Sequence, residues 1–203
     1  MVMKQHFIEW FSGKQLPSYW NPSGTVAMAD EVDGGVNILT GTGSYASAGI
    51  NFTLKRQYSA TGSHFISVHR FNQSGTLSHN SGVGMCRENR FDSGGEQAVI
   101  LISNASGWSN FGCRTYDSVP SGGATEGTIP VNDNYHNLSN NYHNFKLELD
   151  TSDVKSYIDG VLDVTRTSGL PSNSLMPCYG LQKLTGTGTA ISYNVKYCEA
   201  YNT

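Results

Sequence analysis

The chain has 203 residues, with 13 Lys or Arg against 16 Asp or Glu, a formal net charge of −3 and 14% charged residues. No basic run could neutralise several phosphates, which argues against nucleic acid as a partner, and no apolar run approaches the ~20 residues that cross a bilayer as a helix. Twenty-three glycines, abundant Ser, Thr and Asn, and 11% aromatics describe short strands joined by polar turns rather than a disordered chain.

Strand-like runs recur in chain order, and none of the longer stretches shows capped helical periodicity. His6–Phe11 comes first. Val26–Val32 and Val36–Thr40 flank Asp33-Gly34-Gly35, a hairpin signal. Ile50–Leu54 follows. His64–Phe71 carries apolar residues on both faces, which predicts a central strand covered on each side. Val83–Glu88, Gln97–Asn104 and Asn110–Tyr116 predict a meander, with Trp108 in the turn before its last arm. Asn144–Asp150 sets Phe145, Leu147 and Leu149 on one face. Val154–Ile158 and Val161–Thr165 surround Asp159-Gly160, a two-residue turn that needs positive φ. Ala190–Ala200 alternates Ile191, Tyr193, Val195 and Tyr197 against Ser192, Asn194 and Lys196, which predicts one buried face. Trp10 and Trp20 read as core or end-plug residues. The turn spacing, with no linker or repeat, predicts one all-β domain over residues 1–203, a two-sheet antiparallel β-sandwich.

Cys86, Cys113, Cys178 and Cys198 fit no CxxC-type zinc spacing. They read as small, buried, reduced thiols, with one or two disulfides the alternative in an exported protein. The meander sets Cys86 and Cys113 two strands apart, beyond the roughly 4.4–6.8 Å between α-carbons that a bond spans. Met1–His6 lack the apolar segment of a secretory leader, so none is expected in the chain. An extracellular or virion-surface location is nonetheless expected over a cytoplasmic one.

The stretch Tyr142-His143-Asn144-Phe145-Lys146-Leu147-Glu148-Leu149, followed by Val154-Lys155-Ser156-Tyr157-Ile158-Asp159-Gly160, resembles the strand and hairpin of concanavalin A-like lectin/glucanase domains. Leu170-Pro171 with Leu175-Met176-Pro177 resembles their return loop. Ile191–Tyr197 resembles their closing strand, and Leu16-Pro17-Ser18-Tyr19-Trp20 resembles a motif after their first strand. The resemblance implies a jelly roll in which Asp159 and His143 are structural. It implies no particular activity, because this fold hosts lectins, glucanases, lyases and virus or adhesin parts.

Retaining glucanases of this type carry Glu-x-Asp-x-x-Glu on a concave-face strand, and the chain has no such motif. Glu31-Val32-Asp33 and Glu148-Leu149-Asp150 are its nearest imitations, and both run into turns. Val68-His69-Arg70 with Tyr193 and Tyr197 faintly resembles alginate lyases, where a His and a Tyr share a groove. No residue is therefore assigned as catalytic. If Ala98, Ile100 and Ile102 face the core, the neighbouring strands offer Glu88, Asn110, Arg114 and Tyr116 to the concave side. Trp108 is then a stacking platform, and His69 completes the candidate ligand-binding set. No cofactor is expected. Calcium is the open alternative, on Asn132-Asp133-Asn134 or on Asp30, Glu31 and Asp33.

The leading expectation is a non-catalytic domain that binds a carbohydrate polymer or cell-surface glycan. The alternatives are a structural virion or surface-assembly protein, which would form an oligomer or join a particle, and a divergent glycoside hydrolase or lyase.

Overall fold

A computed structural model describes residues 5–29, 34–43, 46–52, 58–72, 79–87, 97–105, 108–116, 142–183 and 192–203. Among these residues it contains fourteen strands and no helix. They are β1 (His6–Glu9), β2 (Trp20–Ser23), β3 (Thr25–Met28), β4 (Val36–Leu39), β5 (Ser47–Phe52), β6 (Ser63–Asn72) and β7 (His79–Cys86). They continue with β8 (Gln97–Ala105), β9 (Trp108–Tyr116), β10 (His143–Leu149), β11 (Val154–Ile158), β12 (Val161–Arg166), β13 (Met176–Lys183) and β14 (Ser192–Asn202). An eight-stranded sheet runs β12-β11-β10-β6-β14-β4-β3, with β1 paired to the far half of β14. A six-stranded sheet runs β2-β5-β13-β7-β8-β9. Neighbouring strands are antiparallel, and the predicted meander is β7-β8-β9.

Alternation explains the core. Phe145, Leu147 and Leu149 of β10 are buried, as are Val154 and Ile158 of β11. The other sheet answers with Ile50, Val83, Met85, Tyr179 and Leu181. One polar chain crosses between the layers: Tyr179 donates its hydroxyl to Ser67 Oγ at 3.0 Å, and Ser67 Oγ lies 3.1 Å from His69 Nδ1.

The Asp-Gly hairpin forms as predicted, with φ of 51° at Asp159 and 81° at Gly160. Asp159 also ties the turn to β10. Its Oδ1 accepts the Asn144 N–H at 2.8 Å, and its Oδ2 lies 2.7 Å from His143 Nδ1. Both residues thus serve the hairpin, as the resemblance implied.

Several expectations are corrected. β6 is central, between β10 and β14, but only its inner face is fully covered; His64, Ile66, Val68 and Arg70 are half-buried. In β14 the register shifts between Val195 and Tyr197. The extra residue moves Cys198 and Ala200 into the core and turns Tyr197, half-buried, to the outer face, so the predicted alternation reverses there. Trp20 is a core residue at 3% exposure, but Trp10 is 64% exposed and plugs nothing. β2, which contains Pro22, had no strand-like signal; proline lacks an N–H, and β2 sits at a sheet edge where that is tolerated. The hairpin of β3 and β4 forms, but its first arm ends at Met28 rather than Val32.

Candidate functional site: the outer face of the six-stranded sheet

The register of β8 and β9 decides which residues face outward. Cys113 and Thr115 of β9 are fully buried. Thr115 Oγ1 donates to the Ser168 carbonyl at 3.0 Å, and β9 packs against β11 and β12 of the opposite sheet. Odd positions of β9 therefore belong to the inner side of the sheet, and Ala98, Ile100 and Ile102 hold the register positions opposite them. Trp108, Asn110, Gly112, Arg114 and Tyr116 hold outer-face positions, as do Val99 and Leu101. Trp108 opens β9 opposite Ala105 rather than lying in a turn.

Following the pairs across the sheet gives three rows on that outer face. One row is Asn51, Cys178, Gly84, Val99 and Arg114. The next is Gly49, Gly180, Gly82, Leu101 and Gly112, and the third is Ser47, Gln182, Asn80, Ser103 and Asn110. A floor with almost no side chains thus runs across the strands beside a row made only of amides and hydroxyls. Gly82, Gly84 and Gly180 are buried. Gly49 admits no side chain, since a Cβ there would lie 2.4 Å from the Tyr179 carbonyl oxygen.

The six strands contain no Asp and no Glu. Arg114 is the one formal charge at an outer-face position of these strands. Lys183 points the other way, fully buried, and donates to the Thr42 carbonyl at 3.0 Å.

A disulfide joins Cys86 of β7 to Cys178 of β13 on this face, with 6.1 Å between the α-carbons. This corrects the expectation of four reduced thiols. The register pairs Cys178 with Gly84 and Cys86 with Met176, so the two cysteines are diagonal neighbours on adjacent strands. Cys113 and Cys198 are free and buried, and burial pushes both thiols up to about 12. They stay protonated and carry no thiolate chemistry.

Of the other candidate residues, Glu88 lies outside the described residues, as do both calcium-candidate clusters and Glu31-Val32-Asp33. His69 is corrected. It belongs to β6 of the other sheet, is fully buried and stacks on Phe145 with ring centroids 4.0 Å apart. It reaches neither outer face, because its parity in β6 matches Phe65 and Ser67, both of them core residues. Burial, reinforced by His143, holds its pKa well below the ordinary histidine value, so it is a neutral core residue. It cannot share a groove with Tyr197, which lies on the outer side of the same sheet. Glu148 lies on that outer side too, bound by Lys146 Nζ at 2.6 Å and by the Tyr157 hydroxyl at 2.8 Å. Asp150 caps a turn through the Thr151 N–H.

No family model matches the chain, and no curated protein sequence matches it. Solved structures do. The Emp47p carbohydrate recognition domain superposes with a TM-score of 0.66 at 11% identity, covering 97% of this chain and 94% of that one. The Bacillus licheniformis β-glucanase gives 0.64 at 14% identity over 98% of both chains. The laminarinase from Flavobacterium sp. UMI-01 gives 0.66 at 9% identity, over 97% and 99%. The chain has the concanavalin A-like jelly-roll fold.

Within this concanavalin A-like frame, two features of the site were missed by sequence reasoning. The glycine row spans four strands far apart in the chain, so only the pairing reveals it. The Cys86–Cys178 pair is separated by 92 residues and has no local signal either.

Proposed function

We propose that the protein is a non-catalytic lectin-like domain that holds a carbohydrate polymer or cell-surface glycan on the outer face of its six-stranded sheet. The observation that carries this reading is the composition of that face: rows of glycine, amide and hydroxyl positions on strands without a single carboxylate. Amides and hydroxyls exchange hydrogen bonds with sugar hydroxyls, and glycines let a ring approach the backbone. Hydrolysis needs two carboxyl groups about 5–5.5 Å apart for retention, or about 6.5–9.5 Å for inversion. These strands supply neither pair. The Emp47p domain among the structural neighbours supports binding, and the glucanases support the same class of polymer. Arg114 as the single charge favours neutral or acidic glycans over cationic ones. The disulfide supports an extracellular location, since such bonds persist in oxidising compartments. The reading requires no metal or cofactor.

The test is electrophoresis of the native protein through gels containing soluble β-glucan, xylan, galactomannan or alginate, with reducing ends measured on the same mixtures. Retardation by at least one polymer without new reducing ends is expected. Free migration through all of them, or a steady rise in reducing ends, overturns the reading.

A further inference from the structure

A cavity of about 360 Å³ opens on the outer face of the eight-stranded sheet, on the opposite side of the sandwich from the rows described above. Its walls include Gln5, His6, Ile66, Glu199 and Tyr201. The register explains how they meet. His6 pairs with Tyr201 and Tyr201 with His64, while Ile8 pairs with Glu199 and Glu199 with Ile66. The β14 bulge is what sets Glu199 and Tyr201 on this side. Tyr201 stacks on His64 with centroids 4.7 Å apart, and His6 meets it edge-on at 5.6 Å. Further along the same face the exposed Trp10 ring lies 4.5 Å from that of Tyr197.

The polar groups narrow the ligand. Glu199 is already engaged at both oxygens: Oε1 lies 2.7 Å from His6 Nε2, and Oε2 accepts the Tyr197 hydroxyl at 2.6 Å. The cavity therefore offers no open carboxylate to draw a cation, while an acidic wall repels an anion. Gln5 Oε1 is buried without a hydrogen-bond partner. The Gln5 backbone is fixed, since its carbonyl accepts the Asn202 N–H at 3.0 Å. The terminal amide torsion is soft, so a small rotation presents Oε1 to the cavity, and a donor there recovers the free energy of an unmade bond. A neutral, hydroxyl-bearing ring with an apolar face meets these conditions. The volume sits at the small end of ligand pockets, roughly 300–1,000 Å³, which suits one or two rings.

We infer that this cavity is a second saccharide site, in which a sugar hydroxyl donates to Gln5 Oε1, the ring packs on Ile66 and Tyr201, and the glycan continues over Trp10. The site stands independently of the six-stranded face. With both present the protein is bivalent, and because the two faces point apart it joins two glycan chains rather than gripping one twice.

Calorimetric titration with neutral gluco-, xylo- and mannohexaoses tests this, together with turbidity of the matching soluble polysaccharide. The native protein takes up two equivalents of a hexaose and turns the polysaccharide turbid. Trp10→Ala and Gln5→Leu each weaken one site by about tenfold, abolish the turbidity and leave the thermal melt and the other site as they were. Gly82→Val, on the six-stranded face, removes only that other site. If Gly82→Val changes nothing while Trp10→Ala loses all binding, the cavity stands and the six-stranded face does not. The inference fails if the native protein binds no hexaose, if its only binding survives both Trp10→Ala and Gln5→Leu, or if both cavity variants keep two-site binding. It fails equally if choline occupies the cavity in a Trp10-dependent way, because the ligand would then be a cation.

Discussion

The two outer faces of this sandwich share a core and differ in almost everything else. On the eight-stranded side many outward residues engage one another: Lys146 and Tyr157 on Glu148, His6 and Tyr197 on Glu199, Arg70 4.8 Å from the Tyr142 ring centre. On the six-stranded side the outward positions of the three rows are glycine, asparagine, glutamine and serine with Val99, Leu101 and Cys178 among them, one arginine and no acid in any strand. These pairs occupy much of that surface, and a cavity interrupts it beside Tyr201. The rows of the six-stranded face combine backbone, amide and hydroxyl positions with no carboxylate on their own strands.

This contrast can be sharpened first through the layer both faces share. Phe145→Ala should cost about 3–5 kcal/mol by urea unfolding, because Phe145 is fully buried against His69. Its outward neighbour Lys146, partly exposed and paired with Glu148, should cost under about 1 kcal/mol as Lys146→Ala. Similar costs at the two positions would mean the inside and outside of β10 are wrongly assigned.

The disulfide belongs to the six-stranded side alone. Reducing it should lower stability by about 2–4 kcal/mol, since the bond constrains a long loop of the unfolded chain. The comparison is a pair of denaturation curves with and without dithiothreitol. Coincident curves would show that the bond does not form. Third in size is Gly180→Val, which fills the glycine floor. Retention by polysaccharide gels should weaken by roughly tenfold or more, the discrimination that one misplaced group imposes in a close-fitting site, with the far-ultraviolet spectrum unchanged. Retention at native strength would move the ligand off this face.

The smallest effect is on pH. The folded-state pKa of His69 is depressed by burial, so above about pH 6.5 both states are neutral there and His69 adds no pH dependence. Below that value the unfolded chain takes up a proton that the folded core refuses, so stability falls as pH falls, by about 1.4 kcal/mol per unit until the depressed pKa is reached. His64, also depressed by burial, adds to the slope. His69→Gln should remove much of the slope between pH 6.5 and 5 whatever it does to stability at neutral pH. An unchanged slope would place His69 in water.

Most strands were legible because their signals are local. The alternation of Phe145, Leu147 and Leu149 and the Asp159-Gly160 turn need only a short window of sequence. What failed needed pairing. Period-two alternation assumes an unbroken register, and the bulge beside Lys196 sends Tyr197 outward where the pattern had it buried. His69 looked available because a histidine between Val68 and Arg70 reads as polar. Its place is set by Phe145 and Ser67, which reach it from a neighbouring strand and from two residues back. Trp10 looked like core because tryptophan usually is, yet β1 ends at Glu9 and leaves it over the outer face. On the candidate site, the parity of Asn110, Arg114 and Tyr116 followed from the guess that Ala98 and Ile100 face inward. The glycine row beside them did not, because its members lie on four separate strands.

The central claim is that a glycan lies across the glycine and amide rows. Amide chemical shifts of the labelled protein, recorded as a retained oligosaccharide is added, test it most directly. The account predicts saturable changes at Asn80, Gly82, Ser103, Asn110, Gly180 and Gln182, whether or not the Tyr201 cavity responds as well. Changes confined to the eight-stranded side, with those six amides still, would contradict it.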